Sequence, residues 1–280
     1  MNVYIRLMRL NRPIGIYLLL WPTYWALFLS AGGWPDFDLL IIFTLGVLVM
    51  RSAGCVINDY ADRKIDQHIT RTKGRPIITG EVTPKAALWL FVLLLLIAFA
   101  LVLLTNTLTI QLSLVALALA TIYPFTKRWT HMPQLVLGAA FGMSVLMAFS
   151  AQTGAIPSSA FWIFLATVVW TLIYDTFYAM ADRDEDIVVG VKSTAIFFEK
   201  YDQIFITFLQ ILLLILLLLI GKIFDLKSIY DLSLIIILTF MIYHQFLMRK
   251  RQKTLYLKAF INNNYIGMTA FIGIFLSTVI

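Results

Sequence analysis

Two short acidic stretches hold most of the reactive potential of this 280-residue chain. One runs Asn58-Asp59-x-x-Asp62-x-x-x-Asp66, and the other runs Asp175-x-x-Tyr178-x-x-x-Asp182-x-x-x-Asp186 with Asp184 and Glu185 inside it. On a helix, at about 100° per residue, Asn58, Asp62 and Asp66 share a sector of about 80°, and Asp175, Asp182 and Asp186 one of about 40° with Tyr178 beside it. Carboxylates on one face repel each other, and a divalent cation removes that cost. Mg²⁺ is the natural occupant, since it takes oxygen ligands and is usually held by one or two carboxylates together with substrate phosphates. A solvated, salt-bridged helix end would account for one such cluster; two with the same one-face spacing favour metal.

Basic residues accompany both clusters. Arg71, Lys73 and Arg75 follow the first in a segment containing Gly74 and Pro76 and ending at Gly80; Lys127 and Arg128 follow Tyr123-Pro124; Lys192 follows the second cluster. Arginine forks match phosphate oxygens bidentately. Metal and phosphate contacts in front of an apolar body point to a lipid pyrophosphate as substrate. Neutralising its charge makes pyrophosphate a good leaving group. If the lipid is allylic, its departure leaves a resonance-stabilised cation that must be kept from water until a nucleophile captures it.

The elements that position these residues are set by an apolar composition. Hydrophobic residues make up 61% of the chain and charged residues 13%, and the mean hydropathy is +0.88. Soluble domains carry roughly 45–50% apolar and about 25% charged residues. A soluble enzyme, a disordered chain and a disulfide scaffold are therefore excluded, the last also by Cys55 being the single cysteine. With about 20 apolar residues needed per crossing, runs free of charge predict an all-α polytopic membrane protein of nine spans. These are 13–35, 39–50 extended through Arg51 toward Asn58, two within 86–126 divided at Thr105-Asn106-Thr107, two within 129–174 divided at Gln152 to Pro157, then 203–221, 232–248 and 259–280. Thr83-Pro84 reads as the cap and first residue of the third span.

Of the 22 Lys and Arg, only Lys222 and Lys227 then fall on one side and Arg51 lies within a span; all others share the opposite side. The positive-inside rule makes that side cytoplasmic, and with it the N-terminus and both acidic clusters. The net charge of +7 is thus a topology signal, and nucleic acid is not an expected partner. The first apolar run is too aromatic and too long for a cleaved signal peptide. The two acidic clusters suggest repeated halves, yet the surrounding spans show no convincing similarity.

These residues resemble the UbiA superfamily of intramembrane prenyltransferases. The likeness rests on the paired aspartate motifs, on Arg9-Leu10-Asn11-Arg12-Pro13, Gly54-Cys55-Val56-Ile57-Asn58-Asp59, Thr72-Lys73-Gly74-Arg75-Pro76, Tyr123-Pro124-Phe125-Thr126-Lys127-Arg128 and Gly190-Val191-Lys192-Ser193-Thr194, and it covers essentially the whole chain. Within the superfamily the chain is most similar to the branch that prenylates 4-hydroxybenzoate in ubiquinone biosynthesis. The resemblance implies one transmembrane domain over 1–280 with nine helices around a central cavity, in a bacterial inner membrane. It implies Mg²⁺ on Asn58, Asp59, Asp62, Asp66, Asp175, Asp182 and Asp186. Catalytic roles go to Asp62, Asp182, Arg75 and Lys127, and substrate contacts to Arg51, Asn58, Arg71, Arg75, Tyr123, Lys127, Tyr178 and Lys192. The implied substrates are a polyprenyl pyrophosphate and 4-hydroxybenzoate, joined at the ring carbon ortho to the hydroxyl. The base that takes the ring proton is open between a motif aspartate and the pyrophosphate.

Arg51 stands seven residues before Asn58, on the same helical face and roughly 10 Å deeper. An arginine there pairs with something or marks a substrate site. Either it bridges to a motif aspartate, or its fork takes the carboxylate of 4-hydroxybenzoate, as the resemblance supports. Other readings remain: the same chemistry on dihydroxynaphthoate or haem, a secondary transporter, which would want its acids nearer mid-membrane, and a scaffold without a site.

Overall fold

The protein is described by a computed structural model over residues 2–67 and 69–280. In chain order its helices are α1 (Val3–Leu7), α2 (Ile14–Ala31), α3 (Phe37–Asp66), α4 (Pro84–Val102), α5 (Thr107–Thr126), α6 (Pro133–Thr153), α7 (Ser158–Val189), α8 (Thr194–Phe198), α9 (Asp202–Ile223), α10 (Ser228–Arg249) and α11 (Lys253–Val279). Among the described residues nine helical stretches are long and apolar enough to cross a membrane, with α8 and α9 together forming one of them.

Local chemistry sets the breaks. Thr83 accepts the N–H of Ala86 at 3.2 Å, with Pro84 as the first residue of α4. Asn106 caps α5 by accepting the N–H of Thr109 at 2.9 Å, and its amide donates to the Ser150 carbonyl at 2.6 Å, fixing the α4–α5 turn against α6. Gly154 ends α6 in the left-handed conformation, φ 74°, which glycine adopts without steric cost. The sixth helix starts at Pro133 rather than at 129. The N–H groups of Trp129 and Thr130 turn back onto the Thr126 carbonyl, and Pro133 suits only the first turn of a new helix.

The two helices that carry the acidic clusters are the longest. α3 has 30 residues and α7 has 32, so each runs about 45 Å or more, beyond the roughly 30 Å hydrocarbon core of a bilayer. Helical geometry therefore continues through both clusters without interruption.

The main core unites α2, α6, α7, α9, α10 and α11, and a smaller one joins α1, α3 and α4. α11 is pinned by three consecutive asparagines, each of which meets a different helix. Asn264 accepts the indole N–H of Trp21 at 2.7 Å, Asn263 that of Trp170 at 3.3 Å, and Asn262 pairs with His244 Nε2 at 2.8 Å. At 100° steps around one helix, three adjacent polar residues can reach three neighbours. Nearby, Gly267 permits close approach: a Cβ there would overlap the rings of Trp170 and Trp21.

Between α2, α3, α4, α5, α6, α7 and α11 lies a cavity of about 970 Å³. α9 and α10 furnish none of its wall and instead back α7 and α11 from outside.

Candidate active site

The mouth of the cavity is built from the ends of α3 and α7 and from the segment 69–83 that follows α3. Asn58, Asp59, Asp62 and Asp66 of α3 line the cavity here, as do Tyr178, Asp182 and Asp186 of α7, while Asp175, seven residues before Asp182, lines it roughly 10 Å deeper. Asp59, Asp62, Asp66 and Asp182 are each at most 5% exposed. Buried carboxylates demand partners, and basic residues from several elements supply them. Arg75 meets Asp59 at 3.0 Å and also pairs with Asp66. Lys127, at the end of α5, lies 2.5 Å from Asp62. Arg71 grips Asp182 with a two-pronged fork, Nε to Oδ1 at 3.1 Å and Nη2 to Oδ2 at 2.5 Å, while its guanidinium lies 4.5 Å from the centre of the Tyr178 ring. The two acidic faces are thus interleaved with cations around one opening.

The remaining candidates sit at different depths or edges. Tyr123 lines the wall from α5. Lys192 also lines it; its ammonium donates to the Trp129 carbonyl at 3.3 Å, and its backbone N–H bonds the Lys127 carbonyl at 2.9 Å, tying the turn after α7 to the end of α5. Arg128 takes no part in the wall and donates to the Ala61 carbonyl at 3.1 Å.

Arg51 makes no ion pair among the described residues, and its Nε is buried without a hydrogen-bond partner. The expected alternative of a bridge to a motif aspartate is therefore not formed. The Nε–Nη2 edge of the guanidinium instead abuts Gly15 in the first turn of α2, where any Cβ would overlap it. It lines the cavity below the acidic mouth. A half-buried guanidinium without an ion-pair partner, lining open space, can take an anion from that space.

Arg9 at the mouth and Lys253 just outside it received no site role from the sequence. Arg9 reaches Asp59 at 2.6 Å and lines the cavity, with its backbone at φ 56°, an uncommon conformation for a non-glycine residue. The sequence marked it as part of the Arg9–Pro13 motif of the resemblance but gave it no site role, because nothing local ties it to a carboxylate fifty residues on. Lys253, the first residue of α11, lies 3.0 Å from Glu185 and 4.0 Å from Asp182. Burial opposes the charge on Arg9 and Arg71. Asp59 beside Arg9, and Tyr178 and Asp182 beside Arg71, more than offset it, so both pKa values lie above the ordinary arginine value.

No group of three or more His, Cys, Asp and Glu side chains forms a preassembled metal site among the described residues. The donor set nonetheless suits a hard cation shared with a phosphate ligand: every donor is oxygen, and Asp62 keeps one buried carboxylate oxygen, Oδ1, without a hydrogen-bond partner. Such ions take one or two carboxylates and complete their shell with water and phosphate oxygens.

Comparison with known proteins gives concordant matches. Residues 19–272 match the model of the UbiA prenyltransferase family. A 4-hydroxybenzoate octaprenyltransferase of Vesicomyosocius okutanii subsp. Calyptogena okutanii is 59% identical over 96% of this chain and 99% of its own length. One from Providencia stuartii is 52% identical over 99% and 96%. Among solved structures, a UbiA homolog from Aeropyrum pernix K1 superposes with a TM-score of 0.83 at 24% identity, covering 93% of this chain and 97% of its own. A homolog from Archaeoglobus fulgidus bound to GPP and Mg²⁺ superposes with a TM-score of 0.75 at 18% identity, over 98% and 99%.

Proposed function

The chain belongs to the UbiA prenyltransferase family, and on that premise we propose that its cavity joins a polyprenyl pyrophosphate to 4-hydroxybenzoate in two tiers, one at the mouth and one below. The protein is a multi-pass membrane enzyme. It transfers the polyprenyl group to the ring carbon ortho to the hydroxyl of 4-hydroxybenzoate, a step of ubiquinone biosynthesis, as the relatives' names support. The whole chain acts as one catalytic unit in a bacterial inner membrane, with the mouth toward the cytoplasm.

The upper tier holds the pyrophosphate. Arg9, Arg71, Arg75 and Lys127 turn from the carboxylates toward phosphate oxygens, and Asn58, Asp59, Asp62, Asp66, Asp175, Asp182 and Asp186 supply the oxygen ligands that hold Mg²⁺. Bound Mg²⁺ neutralises charge on the departing pyrophosphate. Tyr123, Tyr178 and Lys192 border the same space. The tail extends into the apolar wall formed by residues such as Leu95, Leu117 and Phe141. Heterolysis of the allylic C–O bond sends the electron pair to pyrophosphate, and the apolar wall keeps water from the allylic cation.

The lower tier holds the aromatic acid. The Arg51 fork takes its carboxylate, which sets the ring beneath the pyrophosphate. The phenol oxygen donates electron density to its ortho carbon, so the ring carbon is the nucleophile and no enzyme nucleophile is required. The new C–C bond forms there, and the ring proton leaves to an oxygen of the mouth, carboxylate or pyrophosphate.

The observation that carries this reading is the pairing of an interleaved acid–base mouth with a half-buried arginine beneath it that makes no ion pair among the described residues. The test is turnover by the purified protein with 4-hydroxybenzoate, a polyprenyl pyrophosphate and Mg²⁺, read as C-prenylated acid by mass and position. The reading expects product with Mg²⁺ and none with EDTA; an O-prenylated product, or equal yield in EDTA, contradicts it.

A further inference from the structure

We infer that Glu185, with Lys253, is a positioning residue that holds the backbone at Arg71 over the mouth from outside the cavity; the inference rests on the pyrophosphate reading of that mouth. Glu185 sits on α7 one turn beyond Asp182, and neither its side chain nor that of Lys253 lines the cavity. One carboxylate oxygen of Glu185 accepts the backbone N–H of Thr70 at 3.2 Å, and the other meets Lys253 at 3.0 Å. Thr70 immediately precedes Arg71. Glu185 therefore joins three elements at one point: α7, the first turn of α11, and the segment that carries Arg71 and Arg75.

This junction matters because the other links between that segment and α7 among the described residues run through the Arg71 side chain, to Asp182 and to the Tyr178 ring, and phosphate must open the Asp182 pair. When the guanidinium turns to phosphate, the Thr70–Glu185 bond still fixes the Arg71 backbone, and only the side chain has to swing. Asp182 then keeps a cation within reach, since Lys253 lies 4.0 Å from its Oδ1. As an ion pair, Lys253 and Glu185 are too exposed, 43% and 26%, to count for much in stability. What they fix is the place of an arginine.

The test is a double-mutant cycle with two further readouts. Glu185→Ala should raise KM for the polyprenyl pyrophosphate about tenfold, the scale of one hydrogen bond to a charged acceptor, with KM for 4-hydroxybenzoate unchanged. Glu185→Gln keeps an oxygen for the Thr70 N–H and should stay within about threefold of wild type. In an Arg71→Ala background, Glu185→Ala should add nothing, because residues acting through one another are not additive. Backbone amide exchange over 69–76, measured without substrate, should quicken in Glu185→Ala and stay slow in Glu185→Gln. Equal effects on both KM values, full additivity with Arg71→Ala, or unchanged exchange each overturn the proposal. Wild-type protein that fails to prenylate would overturn the pyrophosphate reading instead, and leaves the exchange result to judge the brace by itself. Should Glu185→Ala not fold, Lys253→Met carries the test. It should raise the donor KM about threefold and leave the acid KM alone, and any shift in the acid KM counts against the brace.

Discussion

At the scale of the residue, the mouth and the deeper arginine do different work, and substitutions should separate them. Asp62→Ala and Asp182→Ala each remove a carboxylate from a different helix, and each should lower turnover about 10²-fold or more, the scale of losing a charge-stabilising group from a dry site. Near-normal rates at low Mg²⁺ in either variant would show that one cluster suffices. Arg75 serves Asp59 and Asp66 together. Arg75→Lys replaces a planar fork by a point charge, and should raise KM for the lipid pyrophosphate while KM for the acid holds; equal changes in both would mark Arg75 as structural. The aspartates and their flanking arginines were legible in the sequence because their spacing is local and periodic. Arg9 and Lys253 were not, since each meets its carboxylate only after distant helices have packed. The state of Arg51 was equally hidden: spacing placed it on the right face, but whether an aspartate claims it depends on how α3 and α7 pack, and among the described residues no ion pair to a motif aspartate forms.

At the scale of the element, α2 and α11 shape the site without supplying its acids. Gly15 leaves the first turn of α2 bare so that the Arg51 guanidinium can lie against it. Gly15→Ala should displace that fork, whose flexible stem allows it to move, and so raise KM for 4-hydroxybenzoate with little loss of thermal stability. An unchanged KM for the acid would mean that the fork does not need this seat. On α11, Asn263 satisfies the buried indole of Trp170. Asn263→Leu should lower stability by about 1 kcal/mol, typical of an interhelical hydrogen bond in a membrane, and a melting temperature equal to wild type would refute the pin. The nine apolar runs and their turns could be read from charge-free length, Thr83-Pro84 and Asn106. The continuous helix through both acidic clusters could only be assumed, because polar residues past an apolar run fit a loop equally well. The retreat of α10 from the cavity had no signal in the sequence, since its apolar content matches that of helices that line it; α9 is more apolar than any of them, in keeping with its place outside the cavity.

At the scale of the whole molecule, the basic residues gather at the end of the bundle that holds the mouth, and Lys222 and Lys227 mark the other. In whole bacterial cells, a membrane-impermeant thiol reagent should label Lys227→Cys, and should reach Lys64→Cys or Lys250→Cys only after permeabilisation; the opposite pattern would invert the topology. Between these ends lies the cavity, whose proposed working parts are two anion sites, a cation-rich mouth for pyrophosphate and Arg51 beneath it for a carboxylate. The most direct measurement is equilibrium binding of 4-hydroxybenzoate and of an unreactive polyprenyl thiopyrophosphate with Mg²⁺, each measured on wild type, Arg51→Ala and the Asp62→Ala, Asp182→Ala pair. A double dissociation is expected. Arg51→Ala should lose the acid, and its preference for the acid over an analogue lacking the carboxylate, while keeping the donor; the aspartate variant should lose the donor while keeping the acid. Loss of both ligands to the same degree in either protein would contradict it.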